Sequence, residues 1–154
     1  MKDETNFKDF QESIKKFNSI YKLPINETPS LLGIERLNNF KSILQEEVNE
    51  VDEIIKSYSE NEKNLTSEKK REILTNIADW LGDMIVYISS ESVKYGLDIN
   101  KVLNIIMQSN FSKLDANGNP IYDERGKVMK GPGYWKPESK INELIKQYFK
   151  KENE

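Results

Sequence analysis

The chain has 154 residues, 36% hydrophobic and 32% charged, with a formal net charge of -3 at pH 7; that is long enough to bury a core without staples and lacks the basic footprint of a nucleic-acid binder. It contains no cysteine and no histidine, which excludes disulfides, thiolate metal sites, cysteine nucleophiles and the commonest general base; carboxylate, lysine, tyrosine or metal-bound water must carry any hydrolytic chemistry. No stretch nears the roughly 20 apolar residues of a membrane span, and the opening MKDETNFKDF has no apolar signal-peptide core, so a cytoplasmic protein with neither a membrane nor a nucleic-acid partner is expected.

Helical periodicity dominates the chain. Phe7, Phe10, Ile14, Phe17 and Tyr21 recur at three and four residues, predicting an amphipathic first helix that ends before LPINETP, where Pro24 and Pro29 interrupt. Leu37, Phe40, Leu44, Val48, Val51 and Ile55 predict a second helix, followed by a polar linker, SENEKNLT. Ser67 is placed to cap a third helix containing Ile73, Ile77, Leu81, Met84 and Ile88, which Gly96 would stop. Asp98 caps a fourth, holding Val102, Ile105, Ile106 and Met107. From Ala116 two Gly-centred turns suggest a short hairpin or ordered loop, and Ile141, Leu144, Ile145 and Tyr148 mark a last helix. The expectation is a single all-α domain over residues 1–154, a helical bundle with a Gly-rich hairpin or loop before the C-terminal helix.

The second helix carries ILQEEVNEVDEII between Ile43 and Ile55, with five carboxylates threaded through its apolar pattern. At about 100° per residue from Leu44, the apolar residues cover an arc from about -100° to about +40°. Glu46, Asp52 and Glu53 fall on a solvated face, and Glu50 borders the arc. Glu47, at about -60°, lies inside it. A carboxylate aimed at a core is costly unless paired or bound to a cation. On the third helix, in NIADWLGDMIVY, Asp83 borders the apolar arc with Asp79 just beyond it, and Asn76 and Glu72 share that edge. Two antiparallel helices would gather Glu47, Glu50, Asp79 and Asp83 into one oxygen-only pocket suited to Mg²⁺ or Mn²⁺. The same acidic edges also arise as ordinary surface or as salt bridges with lysine.

The set EEVNE, DWLGD and QSNFSKL followed by GKVMKGPGYWKP resembles the all-α nucleoside triphosphate pyrophosphohydrolases, in particular the MazG-like and phosphoribosyl-ATP pyrophosphohydrolase-like branch. The likeness runs from about Phe10 to Pro137 and rests on the combination of motifs in order. It implies a helical core, usually assembled as a homodimer or homotetramer, and Mg²⁺-dependent hydrolysis of a nucleoside triphosphate to monophosphate and pyrophosphate, in nucleotide-pool cleaning or control. Glu46, Glu47 and Glu50 match the first acidic motif and Asp83 matches the aspartate of the second. The second motif is commonly E-x-x-D, whereas this chain has Trp80 three residues before Asp83; Asp79 lies on the same edge and is a substitute.

The resemblance thus implies metal ligands among Glu46, Glu47, Glu50, Asp79 and Asp83, with Glu46, Glu47 and Asp79 also candidates to orient and deprotonate the attacking water. It makes Asn110, Lys113, Lys127, Lys130 and Tyr134 candidates for substrate contact, although Asn110 is equally placed to cap a helix C-terminus. Trp80 and Trp135 can stack on a base or simply pack, and Arg36 is placed to balance the charge of the acidic helix. Two other classes stay open, a nucleotide sensor that binds without cleaving and a catalytically silent helical interaction module.

Overall fold

The computed structural model describes residues 10–150, so the part of the first predicted helix around Phe7 lies outside the described residues. The fold is all-α, in the order α1 (Phe10–Ile20), α2 (Ile34–Asn61), a 3-10 turn (Glu62–Asn64), α3 (Ser67–Lys94), α4 (Ile99–Phe111) and α5 (Pro137–Lys150). It divides into two compact units, Met1–Leu97 and Asp98–Glu154. No described helix is long and apolar enough to cross a membrane.

In the first unit α3 packs against both α1 and α2. Two contacts fix the α2–α3 register. Arg36 Nε donates to Glu91 Oε1 at 2.7 Å and Trp80 Nε1 donates to the Glu47 carbonyl at 2.7 Å. The residues are eleven apart on each helix and run in opposite directions, which makes the pair antiparallel. On the α1 side, Asn18 is fully buried. It accepts the Ser90 hydroxyl at 2.6 Å and donates to the Ser90 and Pro24 carbonyls. A buried polar side chain is stable only when satisfied in this way.

The helix boundaries correct two sequence expectations. Thr66 rather than Ser67 is the N-cap of α3, its hydroxyl accepting the Lys69 N–H at 3.2 Å; both residues have the hydroxyl a cap requires, and the extended backbone belongs to Thr66. The expected linker is partly helical, because α2 runs through Asn61 and a 3-10 turn follows. Asp98 caps α4 as its position predicts, accepting the Lys101 N–H at 3.1 Å. The C-terminus of α3 is closed by the segment that follows α1. Asn26 donates to the Lys94 carbonyl at 2.6 Å and the Ser30 N–H donates to the Tyr95 carbonyl at 3.0 Å, satisfying carbonyls that the helix leaves without partners. Gly96, at φ 67°, sits so close beneath this strap that a Cβ would stand 2.1 Å from the Thr28 carbonyl oxygen.

In the second unit α4 packs on α5. The connection between them contains an isolated antiparallel bridge, Tyr122–Val128, the short hairpin expected there. Asp115 Oδ1 accepts the N–H groups of Asn117 and Asn119, and Asp123 Oδ1 those of Arg125 and Lys127. Each turn is thus built on an aspartate folding back onto its own backbone.

Candidate active site

The antiparallel register brings the acidic edges of α2 and α3 together. Glu50, Glu53 and Ile54 from α2 and Asn76, Asp79, Trp80 and Asp83 from α3 line a cleft of about 220 Å³. No lysine or arginine is among these residues. Asp79 therefore stands in the cleft beside Asp83. Trp80, where an E-x-x-D motif has its glutamate, lines the wall and locks α3 to the α2 backbone through its indole N–H. Glu53, expected on the solvated face, is exposed and also contributes to the cleft lining. Glu72 is absent from the lining and pairs with Lys69 at 2.8 Å, one turn nearer the start of α3.

Glu47 lies behind this cleft. It is 7% exposed and is the buried residue of α2, as the helical projection predicts. Burial, and after it the charge of Glu50, push its carboxyl above the usual carboxylate range; Asp83 and Glu46 add to the rise. The neighbouring Tyr87 hydroxyl pulls the other way. Tyr87 is itself pushed up, first by the Glu47 charge and then by burial, so it remains a donor. Glu47 Oε2 has no hydrogen-bond partner among the described residues. Tyr87 has no counterpart in the sequence reading; the signal that marks it is its place one helical turn after Asp83.

Carboxylate oxygens are the ligand type that a hard divalent cation takes. The cleft offers oxygen ligands with no basic competitor, and behind it stands an acceptor that nothing in the described protein satisfies. Among the described residues no three acidic side chains are already gathered within ligating reach of one ion. Glu46, Glu50, Asp79 and Asp83 are exposed side chains, and Glu46 is not part of the cleft lining.

A second cavity, of about 440 Å³, adjoins the acidic one. Phe17, Leu23, Phe40, Ile43, Val86 and Tyr87 give it an apolar wall, and Arg36, Ser90, Lys94 and Asp83 supply polar groups. Asp83 lines both cavities. Arg36 does not balance the acidic helix as its position suggested. It forms a two-point pair with Glu91 through Nε and Nη2, and Lys94 Nζ reaches the same carboxylate at 3.1 Å. Burial would push the Glu91 carboxyl up, but the hydrogen bonds and charges of Arg36 and Lys94 hold it below the usual range.

The other predicted residues belong to the second unit. Lys113 Nζ donates to Asn110 Oδ1 at 2.7 Å. Asn110 is within α4 and Ser112 holds the C-cap position, so Asn110 is not the cap. Gly131 packs onto the same turn, its N–H donating to the Lys113 carbonyl at 2.8 Å, and a Cβ there would stand 1.9 Å from the Leu114 carbonyl oxygen. Lys130 lies 4.6 Å from the centroid of the Tyr134 ring. Asn110, Lys113, Lys130 and Tyr134 are thereby grouped around one turn. Lys127 contributes its backbone to the Asp123 turn. Trp135 is covered by the Lys140 ammonium, 3.8 Å from its ring centroid.

No family model matches the chain, and no curated protein matches it. Among solved structures it is similar to that of a "putative NTP pyrophosphohydrolase" from Exiguobacterium sp. 255-15, with a TM-score of 0.52 and 21% identity over 94% of this chain and 98% of that one. At this identity the likeness shows the fold.

Proposed function

We propose that the chain is a divalent-metal-dependent nucleoside triphosphate pyrophosphohydrolase, which cleaves between the α and β phosphates to leave a monophosphate and pyrophosphate. The observation that carries this reading is the buried Glu47, with one carboxylate oxygen unsatisfied, behind a cleft of carboxylates that contains no basic residue. The motif resemblance and the name of the Exiguobacterium protein support the same reaction.

Glu47, Glu50, Asp79 and Asp83 would hold Mg²⁺, or Mn²⁺ in its place, with Glu46 at the rim. When bound, the cation supplies charge neutralisation for the triphosphate and acidifies a water molecule. The chain's own residues then orient and deprotonate. A carboxylate of the Glu46, Glu47 and Asp79 set takes the proton of the attacking water, and Tyr87 holds the Glu47 carboxylate in place. The apolar cavity beside Asp83, within the roughly 300–1,000 Å³ range of ligand pockets, receives the nucleoside. Asn110, Lys113, Lys127, Lys130 and Tyr134 would supply contacts to phosphate or nucleotide.

The test is product analysis with purified protein, a panel of ribo- and deoxynucleoside triphosphates, and Mg²⁺ or Mn²⁺. Metal-dependent release of pyrophosphate with the monophosphate is expected. Release of orthophosphate, or binding without release as in a nucleotide sensor, contradicts the reading. Tyr87→Phe should lower metal affinity or turnover by about 10- to 100-fold, the usual effect of removing a hydrogen bond that orients a ligand. An unchanged rate at limiting Mg²⁺ would remove Tyr87 from the mechanism.

Among the described residues Ile14, Ile73 and Val93 are the apolar side chains buried to 4% exposure or less, whereas Leu37, Val48 and Ile55 on α2 and Leu74, Leu81, Ile85 and Ile88 on α3 are 41–56% exposed. Their spacing gives each helix an apolar stripe. A contiguous stripe of this kind marks an interaction surface, and we assign it to further copies of the chain in a homodimer or homotetramer. Light scattering in solution should give a multiple of the monomer mass; a monomer at micromolar concentration would contradict the assignment.

A further inference from the structure

Trp80 stands on α3 between Asp79 and Asp83 and lines the acidic cleft with them. Its indole N–H reaches across to α2 and donates to the Glu47 carbonyl at 2.7 Å. That carbonyl lies inside α2, where the helix supplies a donor of its own four residues on, so the indole takes the second lone pair of an acceptor already satisfied. The bond ties the two helices at the residue that carries the buried carboxylate. A second polar tie between them, Arg36 with Glu91, stands eleven residues away on each helix, about 16 Å at 1.5 Å per residue. Ligating oxygens must stand within about 0.2 Å of their proper distance from a cation. Glu50, Asp79 and Asp83 are exposed and can meet that demand by turning their side chains. Glu47, 7% exposed, is enclosed, so its unsatisfied oxygen goes where the α2 backbone carries it.

We propose that Trp80 is a positioning residue for the cation site: by holding the Glu47 backbone against α3, it sets the distance between the buried carboxylate and those of Asp79 and Asp83. The inference rests on the proposed metal-dependent reaction, which makes these carboxylates ligands. An indole that only packs needs some acceptor for its N–H. This one takes the carbonyl of Glu47, the buried residue of α2 among those described. Loss of the N–H frees α2 to ride outward at the cleft by a few tenths of an ångström. Packing tolerates such a shift, and coordination by an enclosed carboxylate does not.

The test titrates Mn²⁺ alone, with the free ion followed by electron paramagnetic resonance, into the parent, Trp80→Phe and Ile73→Val. Trp80→Phe keeps an aromatic ring and loses the donor. Ile73→Val loosens the same helix at a buried side chain outside the cleft lining and controls for lost stability. Trp80→Phe should weaken Mn²⁺ binding by about 10- to 100-fold, the usual effect of removing a group that orients a ligand, and Ile73→Val should leave it unchanged. The Mn²⁺ concentration for half-maximal rate should rise with it in Trp80→Phe, while KM for the nucleotide at saturating Mn²⁺ stays the same. Trp80→Leu, which also lacks the donor, takes its place if the phenylalanine variant folds poorly. In Trp135→Phe the one remaining tryptophan is Trp80, and Mn²⁺ should quench its emission with the dissociation constant of the parent. Equal affinity in parent and Trp80→Phe, an equal loss in Ile73→Val, or no quenching overturns the inference and leaves the metal-dependent reading standing. Weakened binding in Trp80→Phe, by a parent that cleaves no nucleotide, does the reverse. Absence of Mn²⁺ binding by the parent overturns both.

Discussion

Glu47→Gln should abolish pyrophosphate release, by more than about 100-fold, and at the same time stabilise the metal-free protein. The two effects have one cause. The carboxylate is held above its usual pKa by burial and by Glu50, Asp83 and Glu46, with Tyr87 only partly offsetting them. For a group whose folded pKa is raised, the stabilising contribution is fully present below the unfolded pKa and is lost as pH rises through the folded value. At neutral pH, above the unfolded pKa, Glu47 therefore costs the metal-free fold stability. Glutamine removes the charge, still accepts from Tyr87, and turns an amide N–H toward neighbouring carboxylates. The gain should be on the order of 1 kcal/mol, or about 2–4 °C in melting temperature for a chain of this size, and should vanish in acid. Added Mg²⁺ should raise the melting temperature of the parent and leave the variant little changed. A variant less stable than the parent at pH 7 without metal would show that the carboxylate has a structural partner.

Arg36→Met should produce the largest loss of stability among single changes in the first unit, about 3 kcal/mol, or about 6–12 °C in melting temperature. Glu91 is 4% exposed and Arg36 supplies two of its hydrogen bonds. Removing one partner of a buried pair leaves an incompletely compensated charge. The Glu91 carboxyl is held below its usual pKa by Arg36 and Lys94 against the effect of burial. Its contribution is therefore present above the unfolded carboxylate pKa and lost as pH falls through the folded one. Acid unfolding of Arg36→Met should begin at higher pH than in the parent. Replacing Arg36, Glu91 and Lys94 together by methionine should recover most of the loss, since apolar side chains of similar volume remove the desolvation penalty with the charges. Thermal melts and an acid titration of the three proteins measure both effects; equal melting temperatures for parent and Arg36→Met would contradict the account.

Periodicity made the helices legible, and the projection of α2 singled out Glu47 because an inward carboxylate breaks a pattern that otherwise repeats. Asp98 and Gly96 were legible for a similar reason, each being the residue type that a helix end demands. The Arg36–Glu91–Lys94 cluster was not, because charged residues 55 positions apart have no local signature, and neither was Asn18, whose partners lie across the α1–α3 contact. Tyr87 escaped notice because a tyrosine on an apolar face reads as packing until its hydroxyl is placed.

The central claim is that the facing acidic edges of α2 and α3 hold a divalent cation for the reaction. It is tested most directly by calorimetric titration of Mn²⁺ into the parent and into Glu47→Gln, each saturated with α,β-methylene dGTP. Saturable binding to the parent, weakened at least about 10-fold in the variant, is the predicted result. Equal binding by the two proteins, or none by the parent, would contradict it.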